Sequence, residues 1–282
     1  MRDVFFDELY EIAKNDRRVM LLSADFGAPS LDKWRDKLPD QFMNMGIAEQ
    51  NMINVARGLA MTGKFVYVYG ILVFFLRCYE QIRHLCMQGL PITIVGVGAG
   101  FSYCDSGPSH WALEDIAAMR VLPNLTIYNP SDDTTVRAIA RSRAKEPTYI
   151  RLDRYSQKRY DDVSLGRGFT IARKGSGALT LLAAGNMVPT ALEVAEQVDA
   201  TVIDVYRLKP LSANLAAFVH GKVITIEEHM LDGGFGSLVS EVLPVAKRIG
   251  VDRYYFNYGR REQLQALVGL TVEDIRKQVA SV

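Results

Sequence analysis

One carboxylate, Glu49, stands among apolar side chains near the start of a segment with helical periodicity. The segment covers residues 44–63, and Met45, Ile47 and Met52 lie on either side of the carboxylate in sequence. An acidic residue in the first turn of a helix favours the helix dipole from an exposed position. A carboxylate held among apolar side chains can instead share a proton with a ligand. The spacing by itself leaves both interpretations open.

The residues around Glu49 also match a known motif. The run Gly46-Ile-Ala-Glu-Gln-Asn-Met52 resembles the G-I-x-E-x-x-M signature of transketolases and their thiamine diphosphate relatives. The resemblance implies that Glu49 is a catalytic residue, hydrogen-bonded to the aminopyrimidine ring of thiamine diphosphate, and that Ile47 borders this cofactor. In such enzymes the cofactor carries the chemistry, and the protein supplies orientation and one proton relay.

A second motif follows the predicted strand at residues 65–69. The run Arg77-Cys-Tyr-Glu-Gln-Ile-Arg83 resembles the R-x-Y-x-Q-I-R run of split transketolases and of deoxyxylulose-phosphate synthases. It implies that Arg77 and an aromatic residue, Phe74 or Phe75, belong to the cofactor site. The sequence does not decide which phenylalanine stacks on the pyrimidine, and both could equally be core residues behind the sheet.

A glycine-rich loop follows the predicted strand at residues 91–97 and ends in Gly107-Pro-Ser-His110. This ending resembles the G-P-[ST]-H segment of transketolases and implies that His110 contacts substrate hydroxyl groups and takes part in catalysis. Asp105 and Ser106 are further candidates for substrate binding. The family commonly has an aspartate where Ser106 stands, and some members have a histidine at the position of Gly98, so the donor and acceptor sugars stay undefined.

Arg154 follows the predicted strand at residues 148–152. It aligns with the arginine that binds the substrate phosphate in transketolases, a task suited to a forked guanidinium group. The alternative is an ordinary surface salt bridge.

The N-terminal part of the chain contributes three weaker candidates. Asp25 ends the run Ser23-Ala-Asp, which resembles a segment bordering the transketolase active site and implies a cofactor contact. A generic turn at the end of a strand explains Asp25 almost as well. Arg2 and Ser30 are candidates for substrate binding, although a lone N-terminal arginine is usually just solvated.

Composition limits the possible functions. The 282 residues are 49% hydrophobic and 23% charged, as in globular proteins with a sizeable core. A net charge of +1 argues against nucleic-acid or membrane-surface binding. The three cysteines have no metal-ligand spacing, and the longest apolar run, residues 65–76, is shorter than the about 20 residues that span a bilayer. These features predict a cytoplasmic protein with no metal site of its own.

Strands and helices alternate in two parts of the chain, which predicts an α/β fold with two parallel-sheet domains. We expect a pyrimidine-binding domain at 1–157, a linker at 158–178 and a transketolase C-terminal domain at 179–282. Smaller expectations are a strand break at Gly70, a helix N-cap at Ser131 and a helix reaching about Lys247. The Glu227-Glu-His segment resembles the C-terminal domain of transketolases, and we assign Glu228 and His229 no catalytic role.

The resemblance as a whole implies the C-terminal subunit of a split transketolase, which transfers a two-carbon ketol unit between sugars. No Gly-Asp-Gly signature occurs in the sequence. We therefore expect a separate N-terminal subunit that carries it and ligates Mg²⁺ or Ca²⁺ for the diphosphate, around a homodimer core in a heterotetramer. The alternatives are the β subunit of a 2-oxoacid dehydrogenase and a non-catalytic assembly or regulatory relative.

Overall fold

The computed structural model describes residues 1–24, 27–155 and 157–282. The elements up to residue 152 are, in chain order, α1 (Arg2–Ala13), β1 (Val19–Ser23), α2 (Pro29–Lys37), β2 (Phe42–Asn44), α3 (Glu49–Met61), β3 (Phe65–Ile71), α4 (Tyr79–Gln88), β4 (Ile92–Val97), α5 (Asp115–Met119), β5 (Thr126–Tyr128), α6 (Asp133–Ser142) and β6 (Thr148–Leu152). The later elements are β7 (Phe169–Arg173), β8 (Leu179–Ala183), α7 (Met187–Val198), β9 (Thr201–Val205), β10 (Arg207–Lys209), β11 (Lys222–Met230), α8 (Phe235–Ser240), β12 (Lys247–Val251), α9 (Arg261–Leu267) and α10 (Val272–Ala280).

Within the described residues these strands form two sheets. The larger has seven strands in the order β10-β5-β6-β4-β3-β1-β2, and the smaller has five in the order β12-β11-β8-β9-β7. All neighbours are parallel except β10 with β5 and β7 with β9, at one edge of each sheet. The predicted fold class, two parallel-sheet α/β domains, is confirmed.

The two sheets are not formed by separate halves of the chain. Strand β10 follows β9 of the smaller sheet but pairs with β5 of the larger one. Strand β7 lies inside the segment 158–178 that the sequence predicts to be a linker, and Phe169 pairs with Val205 there. The chain between the sheets is therefore partly built into them, and the domain boundaries given above stay a prediction.

Parallel strands explain why the predicted site residues converge. The registers align Ser23 with Tyr69, Ile71 with Val97, and Val97 with Leu152, so β1, β3, β4 and β6 all end at one edge of the larger sheet. The loop after β4 and the turn after β6 consequently leave the sheet side by side. The carboxyl edge of an open parallel sheet is the usual place for a ligand site.

Helices cover both faces of the larger sheet, and its central strands are buried on both sides, as expected for a parallel sheet. Helix α1 buries Phe5, Phe6, Leu9 and Ala13 at the spacing of one helical face. On the opposite face, α3 and α4 pack against the same strands. None of the helices in the described ranges combines the length and apolar character needed to cross a membrane.

Three local expectations are wrong: the strand break at Gly70, the N-cap at Ser131 and the helix reaching Lys247. Gly70 does not break β3 but lies within it, where a Cβ would stand 3.3 Å from the Phe75 ring, so the missing side chain makes room for that ring. The N-cap of α6 is Asp132, whose Oδ1 accepts from the Thr135 backbone N–H at 2.9 Å.

The neighbouring Ser131 instead donates to the Asp204 carboxylate. The third wrong expectation concerns the helix predicted to reach Lys247, since α8 ends at Ser240 and Lys247 begins β12. Pro244, which lacks an N–H and cannot continue a helix, lies between the two elements.

Candidate functional site

Glu49 is the first residue of α3, and only 5% of its surface is exposed. Arg77 Nη1 lies 3.8 Å from Glu49 Oε2, which is too long for a hydrogen bond. The Gln50 side chain, one position on, donates to the Arg77 carbonyl at 2.7 Å and so ties α3 to the 3₁₀ helix that precedes α4. The carboxylate is therefore buried, and both of its oxygens can still accept from a ligand.

The structure distinguishes the two phenylalanines that the sequence left open. Phe75 has no exposed surface and lies in the core with Met52 and Ile53. Phe74 is half-buried, and the Arg77 guanidinium lies 4.9 Å above the centroid of its ring. Phe74 is thus the phenylalanine that retains an accessible surface, whereas Phe75 fits the alternative of a core residue.

His110 lies against the same ring. The ring centroids of Phe74 and His110 are 5.3 Å apart in an edge-to-face arrangement. The Ser109 hydroxyl is 3.0 Å from His110 Nδ1, which holds the orientation of the imidazole. The structure therefore brings the Glu49 motif and the Gly-Pro-Ser-His segment together at one place.

Tyr103 lies next to both His110 and Arg154, the residue predicted to bind the substrate phosphate. No sequence motif indicated Tyr103. Its ring centroid lies 6.3 Å from that of His110, and the Arg154 guanidinium lies 4.7 Å above its face. Burial raises the pKa of Tyr103, while the charges of Arg154 and Arg2 lower it. The buried Tyr103 ring thus lies beneath the Arg154 guanidinium and next to His110.

Arg154 is exposed, and its backbone and side chain contact the loop after β4. Its N–H donates to the Ser102 hydroxyl at 3.1 Å, and its Nη1 donates to the Ser102 carbonyl at 3.4 Å. Asp105 Oδ1 lies 3.9 Å from Arg154 Nη1, a loose ion pair between exposed groups. Ser106 is half-buried in the same loop.

The remaining candidates lie at the margin of this group or outside the described residues. The Arg2 guanidinium donates to Asp3 at 3.0 Å, and its charge also acts on Tyr69 and Tyr103. Ser30 is buried in the first turn of α2. Asp25 lies outside the residues that the structure describes, so its predicted cofactor contact stays a prediction.

Sequence reasoning missed a buried ionic group that supports the loop from below. Arg151 on β6 is 1% exposed and Asp115 is fully buried, with Arg151 Nε 2.9 Å from Asp115 Oδ2. Arg151 also donates to the Ala112 carbonyl at 2.6 Å, and the Met230 N–H donates to the Leu113 carbonyl at 2.7 Å. These contacts fix the end of the loop to both sheets.

His229, next to Met230 on β11, completes this group in its neutral form. Its Nε2 accepts from the Ile116 N–H at 3.1 Å, and its Nδ1 lies 2.7 Å from the Met230 carbonyl, so Nδ1 carries the proton. Burial, together with the charge of Arg151, lowers the pKa of His229 to about 3. The alternation of charged and apolar residues along the chain gave no signal for these contacts, since Arg151 and Asp115 are 36 positions apart and His229 and Ile116 are 113 apart.

The arrangement of Glu49, Phe74 and Ile47 suits the binding of an aminopyrimidine ring. Glu49 offers a buried acceptor, Phe74 offers a ring, and Ile47 is 79% exposed at the rim. No cluster of three or more His, Cys, Asp or Glu side chains suited to a metal ion occurs in ranges 1–24, 27–155 and 157–282. The described residues thus fit the pyrimidine end of thiamine diphosphate, and they offer no clustered ligands for the metal at its diphosphate end.

The two sheets, with Glu49 buried at the start of α3, place the chain among α/β proteins built on two mostly parallel sheets. The family model for the transketolase pyrimidine-binding domain matches residues 1–158, and the model for the transketolase C-terminal domain matches residues 170–275. The chain therefore belongs to the transketolase family, as the motifs indicated, and this family is dependent on thiamine diphosphate.

Curated relatives agree with this assignment. The chain is 31% identical to a putative transketolase C-terminal section from Methanocaldococcus jannaschii, covering 99% of this chain and 95% of that one. It is 33% identical to a 6-deoxy-6-sulfo-D-fructose transketolase subunit from a Clostridium species, covering 98% and 92%. It is also 35% identical to the 1-deoxy-D-xylulose-5-phosphate synthase of Microcystis aeruginosa, of which it spans only 47%.

Solved structures show the same correspondence. A split-gene transketolase described as an inactive β4 tetramer superposes with a TM-score of 0.88 at 32% identity, covering 99% of this chain and 97% of that chain. The transketolase of Campylobacter jejuni gives a TM-score of 0.88 at 19% identity, over 46% of its length. The chain thus corresponds to the C-terminal sections of split transketolases.

Proposed function

We propose that this chain is the pyrimidine-binding subunit of a two-subunit, thiamine diphosphate-dependent transketolase. The observation that carries the proposal is the Glu49 carboxylate, which is buried at the start of α3 and is not satisfied by Arg77 at 3.8 Å. A buried carboxylate with unused acceptor capacity is costly unless a ligand donates to it. Such a site is functional rather than structural.

Three residues would hold the pyrimidine end of the cofactor. Glu49 accepts a hydrogen bond from a ring nitrogen and holds the shared proton at its carboxylate. Phe74 offers the half-buried ring for stacking, and the exposed Ile47 covers the rim. When bound, thiamine diphosphate supplies the nucleophilic carbon that carries a two-carbon ketol unit.

His110 and Arg154 would bind the sugar. Ser109 contacts Nδ1 of His110, which leaves Nε2 for a substrate hydroxyl. The ion pair between the Arg154 guanidinium and Asp105 is loose, at 3.9 Å, so an anionic group of the sugar can bind this guanidinium. Two relatives are named for anionic sugars, 6-deoxy-6-sulfo-D-fructose and apulose 4-phosphate, which supports an acidic substrate.

The diphosphate end requires a partner. The sequence contains no Gly-Asp-Gly, and the exposed apolar Ile47 and Met43 beside Glu49 suit a surface that another subunit covers. The split-gene transketolase that resembles this chain is described as inactive when it is a β4 tetramer. We therefore propose an N-terminal subunit that ligates Mg²⁺ or Ca²⁺, and an active assembly with two chains of each kind.

Calorimetry and activity measurements test this proposal together. The isolated chain is expected to fold, to bind thiamine diphosphate with Mg²⁺ weakly, and to lack ketol transfer. Adding an N-terminal subunit with Gly-Asp-Gly is expected to restore both tight binding and transfer. Tight, metal-dependent binding together with ketol transfer by the isolated chain would rule out the two-subunit assignment.

A further inference from the structure

The smaller sheet contacts the loop after β4 through Glu228. Glu228 lies near the end of β11, is 2% exposed, and its Oε2 accepts from the Phe101 N–H at 2.9 Å. Gly100 adopts φ +60°, and a Cβ there would collide with the Glu228 carboxylate. The carboxylate therefore packs directly on the loop backbone, at a position where only glycine fits.

Arg261, the first residue of α9, connects Glu228 to Asp153. Its Nη2 lies 2.7 Å from Glu228 Oε2, and its Nη1 lies 2.7 Å from Asp153 Oδ2. Gln265, one turn later, donates to Glu228 Oε1 at 2.7 Å. Burial lowers the pKa of Arg261, but the two carboxylates outweigh burial and the net direction is upward, so the guanidinium stays charged.

Asp153 continues this connection to Arg154. Its Oδ1 accepts from the Ser102 hydroxyl at 3.1 Å and from the Tyr155 N–H at 2.9 Å. Ser102 in turn accepts from the backbone N–H and from the guanidinium of Arg154. The turn at Phe101–Ser102 and the backbone of Arg154 are thus held by one set of hydrogen bonds and ion pairs, whose centre is the Arg261 guanidinium.

We propose that Glu228 and Arg261 are positioning residues. They fix the loop after β4 and Arg154 without touching the substrate. This inference rests on the proposed function in so far as it concerns the sugar. It gives the C-terminal domain a role in substrate affinity in addition to its place in the assembly.

A Glu228→Gln variant tests the proposal because of the donors around this side chain. Oε1 accepts from Arg261 Nε and Gln265 Nε2, and Oε2 accepts from Phe101 N–H and Arg261 Nη2. The amide nitrogen of a glutamine must therefore face donors in either orientation, and the contact to the loop or to Arg261 is lost.

The adjacent Glu227 provides a matched control. It is also 2% exposed on β11, but its carboxylate accepts from Phe235 N–H at 2.6 Å and Gly236 N–H at 2.8 Å within the smaller domain. Glu227→Gln makes the same carboxyl-to-amide change on the same strand, and its amide likewise faces a donor. It does not alter the contact with the loop.

The experiment uses the chain assembled with its N-terminal partner and measures hydrogen exchange of peptides covering residues 98–104 together with steady-state kinetics. For Glu228→Gln we expect roughly tenfold faster exchange at the Phe101 amide and a roughly tenfold higher KM for a phosphorylated sugar, with kcat within about twofold. For Glu227→Gln we expect both quantities to match the wild type. Arg261→Lys, which keeps the charge, is expected to retain more affinity than Arg261→Met.

Unchanged exchange and unchanged KM in Glu228→Gln would overturn the proposal, and so would equal changes in the Glu227→Gln control. If Glu228→Gln does not fold, Gln265→Ala removes one donor to the same carboxylate. It is expected to shift exchange and KM in the same direction by roughly threefold, and no shift would also overturn the proposal. If the wild-type assembly shows no ketol transfer, the proposed function fails, while the exchange comparison still decides whether Glu228 fixes the loop.

Discussion

Two groups of charged residues, one on each side of the loop after β4, differ in how fully their hydrogen-bonding capacity is used. The open group consists of Glu49, Arg77, Asp105 and Arg154. Its ion pairs measure 3.8 and 3.9 Å, and three of its four side chains are 45–75% exposed. The interdomain group consists of Asp115, Arg151, Asp153, Glu228 and Arg261. Its ion pairs measure 2.7–2.9 Å, and its side chains are at most 10% exposed.

The difference is the one expected between charges that bind a ligand and charges that hold the structure together. Charges in the interdomain group satisfy one another, and removing one would leave its partner buried and unpaired. Charges in the open group have spare donors and acceptors, so they can bind a ligand at little cost to folding. Substitutions in the open group should therefore change activity, and substitutions in the interdomain group should change stability or loop geometry.

The largest effect on activity is expected from Glu49→Gln. The amide cannot hold the shared proton, and we expect turnover of the assembled enzyme to fall by about 10²- to 10⁴-fold with the melting temperature little changed. Hydrogen–deuterium exchange at the thiazolium carbon of bound thiamine diphosphate measures this step directly. Glu80→Gln is the control, because Glu80 is an exposed carboxylate in the first turn of α4. Equal exchange in the two variants would contradict the role of Glu49.

Within the interdomain group, Arg151→Met is expected to have the largest effect, a loss of stability. It leaves Asp115 fully buried with no cation, so we expect the free energy of unfolding to fall by about 3–5 kcal/mol. Denaturant unfolding measures the loss. Arg137→Ala removes a half-exposed partner of Glu8 and is expected to cost at most about 1 kcal/mol. A loss as small for Arg151→Met would show that this group does not stabilise the fold.

Arg154→Ala tests the open group at its substrate end. We expect a roughly ten- to hundredfold higher KM for phosphorylated sugars, because a charge-assisted contact to phosphate is lost. Unphosphorylated analogues serve as the internal control and are expected to change little. A similar rise for both kinds of sugar would instead assign Arg154 to holding the loop through Ser102.

The smallest effect is expected on the pH dependence of stability, through His229. Its pKa is about 3 in the fold, lowered from 6.5, so only the unfolded chain binds the proton between these values and stability falls as pH falls below about 6.5. From pH 6.5 to 5.5 we expect a loss of about 1 kcal/mol relative to His229→Gln, measured by denaturant unfolding.

The comparison with the variant is necessary because other buried groups act in the opposite direction. Burial raises the pKa of Glu227 to about 8 and that of Asp204 to about 7. Both carboxyls stay protonated in the fold after the unfolded chain has lost the proton, so they reduce stability as pH rises through the same range. Identical slopes for wild type and His229→Gln would show that the fold does not lower the pKa of His229.

The sequence by itself determined the family, the two-sheet α/β class and the positions of most candidate site residues. Hydrophobic runs and helical periodicity are local, and short motifs such as Gly107-Pro-Ser-His110 are contiguous, so both can be read without a structure. The resemblance to transketolase motifs assigned Glu49, His110 and Arg154 to one site, and parallel strands that end at one edge explain why these residues converge.

The tertiary structure alone decided which phenylalanine is accessible, that Tyr103 lies beneath Arg154, and how the loop is held. Phe74 and Phe75 have the same chemistry, and only the packing of Phe75 against Gly70 separates them. Phe101 and Glu228 are 127 positions apart, and no local pattern encodes their contact. Their pairing follows from the docking of the smaller sheet behind the loop, because a buried carboxylate and a buried backbone N–H are costly unless they are paired.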